Sequence, residues 1–106
     1  MIFWPCILKL EGDDELIYLS SEQFFNKECT ELILSDNDYV IDSTGFCYSI
    51  EWRTDKLFLT KIERVAVVED VTHLIRAHAF NKAEVCLTKI HFLTVSDAIN
   101  SLIYLD

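Results

Sequence analysis

Three observations predict an α+β domain, a mainly antiparallel sheet of two hairpins plus further strands packed against two or three helices. Two pairs of β-rich runs each bracket a short polar turn holding a glycine, which is the pattern of a hairpin. The apolar spacing then switches from alternation to helical periodicity near Glu69. With 106 residues, 51% of them hydrophobic, the chain can bury one core but not a second, so residues 1–106 read as a single globular domain.

The first hairpin joins Cys6–Leu10 to Leu16–Leu19 through Glu11–Gly12–Asp13–Asp14–Glu15, with Gly12 where the turn needs positive φ. Pro5, with no N–H to donate, suits a strand start. Ser20–Ser21 opens a short helix that fades near Glu28: Ser20 and Gln23 have capping-box spacing, and Phe24 and Phe25 are its anchors to the sheet. The second hairpin pairs Tyr39–Ile41 with Phe46–Ile50 around Asp42–Ser43–Thr44–Gly45. Leu57–Val67 is a strand, bent near Glu63–Arg64.

Glu69–Lys82 reads as a helix with Val71, Leu74, Ile75 and His78 on one face and His73, Arg76 and Phe80 on the other. Neither Val67 nor Val68 offers a capping side chain, so its start is open by two residues. Cys86–Phe92 alternates like a half-buried strand, a buried helical turn being the alternative. Thr94 or Ser96 caps a last helix whose stripe is Ile99, Leu102 and Ile103 beside Ala98. Two Gly and one Pro leave no flexible linker, and no internal repeat is present.

The charge balance is strongly acidic, 18 Asp+Glu against 9 Lys+Arg, a formal −9. That argues against nucleic acid, whose binding needs clustered cations, and against anionic membrane surfaces. A basic protein partner, or simple solubility, fits better. Met1–Cys6 has neither a basic region ahead of an apolar run nor a small-residue cleavage site, and the apolar runs are too short for a bilayer. A cytoplasmic setting is therefore expected, with Cys6, Cys29, Cys47 and Cys86 reduced.

Each motif that hints at chemistry has a simpler explanation. The acidic turn Glu11–Glu15 lacks the ordered ligands of a calcium loop and reads as solvated. Asp36–Asn37–Asp38 begins like such a loop, but Val40 and Ile41 stand where an oxygen ligand and Gly belong. Asp42–Ser43–Thr44–Gly45 has one residue too many for an aspartic-protease motif, and a turn in which Asp42 bonds the backbone two residues on accounts for it. There is no Cys-x-x-Cys pair for zinc. Cys6, Cys47 and Cys86 lie in strand-like runs, where a buried thiol is ordinary. His78, alone among apolar neighbours, is expected as a hydrogen-bonded core histidine and the first candidate for pH sensitivity. Trp52, Phe80 and Tyr104 are aromatics placed for a surface or an element end.

Several landmarks together give a resemblance. Trp4–Pro5, Leu8–Lys9, Gly12–Asp13–Asp14–Glu15–Leu16, Asp42–Ser43 with Gly45, His78–Ala79, and Cys86 with Lys89 span most of the chain. In these the chain resembles a family of small, functionally uncharacterised bacterial proteins, a domain of unknown function of about this length. The resemblance implies a single-domain cytoplasmic bacterial protein and carries over no activity and no site residue.

The expectation is therefore a non-enzymatic acidic domain that works by protein contact, with no cofactor, no metal and no catalytic residue. The alternative is a small enzyme or ligand-binding domain whose site is assembled from Cys86, His78 and Asp42.

Overall fold

In the computed structural model the chain alternates strands and helices as β1 (Cys6–Lys9), β2 (Leu16–Leu19), α1 (Glu22–Cys29), β3 (Tyr39–Ile41), β4 (Phe46–Arg53), β5 (Lys56–Val65), α2 (Val68–Ala83) and α3 (Val95–Leu105). The structure describes all residues except 31, 33, 55, 84–90 and 106, and side chains except those of 81–83, 104 and 105 as well. Cys86 and its surroundings, expected as strand or helical turn, lie outside the described residues.

The strands form one five-stranded sheet in the order β2-β1-β3-β4-β5, every neighbouring pair antiparallel. Both expected hairpins are present, and β1–β3 pairing, with Leu8 opposite Val40, joins them into one sheet. Alternation along each strand sends side chains to opposite faces. Ile7, Leu16, Ile41 and Cys47 meet Val71 and Ile75 of α2 and Ala98, Ile99 and Leu102 of α3. On the other face Cys6, Leu8, Leu19, Val40, Tyr48 and Leu57 meet Phe25 and Cys29 of α1. The sheet is thus sandwiched between α1 and the α2–α3 pair, with a core on each face.

Several details refine the expectation, each for a local reason. Ser21 rather than Ser20 is the N-cap of α1, its Oγ accepting from the Phe24 amide at 3.2 Å. β5 ends at Val65, because the Ala66 amide turns to the Gly45 carbonyl at 2.8 Å and starts the connection to α2. Its register against β4 slips between Phe46 and Tyr48, opposite the expected bend. α2 begins at Val68, where Asp70 reaches back to accept from the Val67 amide at 3.1 Å, half of a capping box that supplies what valine cannot. Thr94 caps α3, accepting from the Asp97 amide at 3.0 Å, but Ile103 is exposed while Ala98, Ile99 and Leu102 are buried. The α2 faces are largely as expected, with Val71, Ile75 and His78 buried and His73 and Phe80 exposed, while Leu74 and Arg76 are both half-buried.

Candidate functional site

Asp42 follows β3 and opens the turn that leads to β4. Its main chain closes the turn: its amide donates to the Phe46 carbonyl at 2.9 Å and its carbonyl accepts from Gly45 N–H at 3.0 Å. The carboxylate is fully buried and accepts from Thr44 N at 2.9 Å, Thr44 Oγ1 at 2.7 Å, Phe46 N at 3.1 Å, Tyr48 Oη at 3.0 Å and Phe3 N at 3.4 Å. The bond two residues on is the turn signature read from the sequence. Phe46 and Tyr48 extend the same local hold into β4, and only the bond from Phe3 is long-range. Through Phe3, and through Ser43 bonding the Phe3 and Pro5 carbonyls, Asp42 pins the N-terminal segment across the sheet end. Burial first, then the bond donated to Asp42, pushes the Tyr48 phenol up to about 12.

His78 sits fully buried on the sheet-facing side of α2, where its Nδ1 accepts from the Leu16 amide at 2.8 Å. An accepting Nδ1 carries no proton, so the imidazole is the Nε2–H tautomer. Leu16 opens β2, an edge strand, and His78 thereby satisfies a ladder donor that has no strand neighbour. The structure does not bring Asp42 and His78 together: the donors to Asp42 come from Phe3, Thr44, Phe46 and Tyr48. Both accept from backbone amides, and neither lines the two clefts described below.

The described thiols are equally enclosed. Cys6, Cys29 and Cys47 are free and buried. Burial first, then the neighbouring Glu28 charge, pushes the Cys29 thiol up to about 12, and burial raises Cys6 and Cys47 as well. A thiol held protonated is a poor nucleophile. Among the described residues no group of three or more His, Cys, Asp and Glu is placed to hold a metal ion. Likewise, no helix among them is long and apolar enough to cross a membrane.

The surface is more distinctive than the interior. Glu11, Asp13, Asp14 and Glu15 of the β1–β2 turn and Asp36 of the loop before β3 are all exposed. Asp38, which the sequence offered only as part of a failed calcium-loop start, holds the two loops together: it is buried and accepts from the Glu11 amide at 2.7 Å and the Ser35 amide at 2.6 Å. Glu11 returns the tie, accepting from Ser35 Oγ at 3.1 Å and Asn37 Nδ2 at 3.0 Å. Lys9 Nζ donates to the Leu10 carbonyl at 2.9 Å and to that of Asp13. The Ser35-x-x-Asp38 spacing was the available signal, since such a pair closes a turn on itself. The result is an acidic rim on a pinned scaffold.

Two clefts open elsewhere. One, of about 570 Å³, lies between α1 (Glu22, Phe25, Asn26), the N-terminal Ile2 and Trp4, and Lys56–Leu59 of β5. The Trp4 and Phe25 rings form part of its wall, with centroids 6.4 Å apart. The other, about 260 Å³, is polar and lined by Glu69, Thr72, His73 and Arg76 of α2 with His91 and Phe92. Sequence reasoning found neither, because both are lined by segments remote in the chain.

Residues 4–102 match a family model, DUF4144, described as a protein structure with unknown function. Among solved structures, the chain is similar to the NMR structure of a protein from Shewanella amazonensis, with 28% identity and a TM-score of 0.74, covering 100% of this chain and 91% of that one. No curated protein matches it.

Proposed function

The chain belongs to the DUF4144 family, and we propose that it is a non-enzymatic domain acting by protein contact, its acidic rim meeting a basic partner. The observation that carries this is the rim itself: Glu11, Asp13, Asp14, Glu15 and Asp36 face solvent from two loops that Asp38 locks together. A pre-organised charged surface loses little entropy on binding, and complementary potentials speed encounter. The commitment of Asp42 and His78 to backbone donors supports contact over catalysis. Free thiols at Cys6, Cys29 and Cys47 accord with a cytoplasmic setting.

The test compares the native chain with a variant carrying Glu11→Gln, Asp13→Asn, Asp14→Asn, Glu15→Gln and Asp36→Asn, with Asp38 kept. The native chain should retain a basic protein at low ionic strength, release it at high salt, and lose it in the variant. Equal capture by both chains, or turnover of a small molecule by the native one, overturns the proposal.

A further inference from the structure

We propose that the outer edge of β5 accepts an extended segment of another protein, one with alternate apolar side chains and acidic flanks, as an added strand. The segment's apolar side chains would seat in the cleft between β5 and α1. The sheet has two edges, and the chain treats them differently. β2 has four residues, all three helices touch it, and His78 takes up its Leu16 amide. β5 has ten residues, and β4 is its sole strand neighbour among the described residues. An edge of that length presents a row of backbone donors and acceptors ready to pair.

The cleft fits such a strand. Lys56, Leu57, Phe58 and Leu59 all line it, although successive residues point to opposite faces, so it takes in the strand's backbone edge. Across from that edge stand Phe25 and Asn26 of α1, with Trp4 beside them and Glu22 as the one acidic residue of the lining. Its volume of about 570 Å³ is within the range of ligand clefts, roughly 300–1,000 Å³. Aromatic walls in a partly enclosed groove are the usual anchors for incoming side chains.

Charge selects the occupant. Residues 51–65 hold four of the nine Lys and Arg but three of the eighteen Asp and Glu, so this hairpin is cationic on an otherwise acidic chain. Arg53 and Glu51 pair with each other at 2.6 Å. Lys56, at the cleft mouth, is exposed and forms no ion pair among the described residues. A second copy would bring its own cationic edge against this one, whereas an acidic flank would meet Lys56. The proposed surface is separate from the acidic rim, and its test is independent of that one.

The probe is a synthetic peptide, acetyl-Asp-Leu-Thr-Val-Thr-Leu-Asp-amide, titrated into ¹⁵N-labelled protein. Two comparison peptides carry Lys in place of Asp, or N-methyl groups on alternate amides. Binding should shift and protect the amides of Lys56–Leu59 and move the signals of Trp4 and Phe25. The N-methylated peptide should not bind, and Lys56→Glu should weaken the acidic peptide about fivefold while favouring the basic one. The rim-neutralised variant should bind as the native chain does. No shifts at ~1 mM peptide, equal binding of the N-methylated peptide, or indifference to Lys56→Glu each overturn the proposal. Concentration-dependent dimers that protect the β5 amides overturn it too, in favour of a second copy.

Discussion

Gly45→Ala is the sharpest test of how the turn after β3 locks the start of α2 to the sheet. Gly45 has φ +96°, and a Cβ there would lie 2.3 Å from the carbonyl oxygen of Ala66, a backbone atom. Placing an L-side chain at positive φ costs about 1–2 kcal/mol. Ala66 must also retreat by at least 0.7 Å to restore a contact of 3.0 Å. That movement strains or breaks the 2.8 Å bond from Ala66 N to Gly45 O, a loss of about 1 kcal/mol. The expected total is about 2–3 kcal/mol, a large share of the roughly 5–15 kcal/mol that stabilises a domain. Gly12→Ala is the control: Gly12 also has positive φ, at +76°, but a Cβ there meets nothing within 4 Å, so it should cost the strain of about 1–2 kcal/mol alone. Urea unfolding followed by circular dichroism measures both. With a slope of about 1–3 kcal/mol per molar urea, Gly45→Ala should lower the midpoint by roughly 1–3 M without changing the slope. Equal losses in the two variants would refute the clash with Ala66 and the coupling built on it.

Three further outcomes follow from the interior. Asp42→Ala should cost about 3 kcal/mol or more, because several buried donors lose their acceptor, while Asp42→Asn should cost less by keeping one oxygen in place; denaturant unfolding in which the two were equal would refute the network. Long-range ¹H–¹⁵N correlation spectra at neutral pH should show His78 protonated at Nε2 alone, and a proton on Nδ1 would refute its bond to Leu16. The alkaline limb of stability should fall early. Cys29 rises from 9.0 unfolded to about 12 folded, and Tyr48 from 10.0 to about 12, so between those values the unfolded chain has released protons that the folded chain keeps. Stability is therefore full below about pH 9 and declines toward about pH 12, by up to about 1.4 kcal/mol per pH unit for each group. Cys29→Ala, compared under reducing conditions, should flatten that limb, and parallel curves would refute the burial assigned to the thiol.

What the sequence determined by itself was whatever rests on neighbours in the chain. Gly12 at the first turn, Asp42 bonding Thr44 two residues on, Thr94 capping α3 and the two faces of α2 are all short-range, decided by backbone sterics and by periodicities of two and 3.6 residues. The same locality explains the near misses. Ser20 and Ser21 are equivalent as capping side chains, and which of them caps α1 depends on where β2 releases the chain. Ile103 fits the apolar stripe of α3, but the stripe is wider than the surface available to cover it. The tertiary structure alone decided the long-range terms: β1 pairing with β3, Leu16 reaching His78 across 62 residues, and Phe3 reaching Asp42 across 39. It also decided that β2 is the sheltered edge and β5 the open one, and that Trp4, Phe25 and Lys56 surround one cleft. Such contacts carry no periodicity in the chain, because their geometry exists only once the sheet has closed its strand order and the helices have chosen their faces.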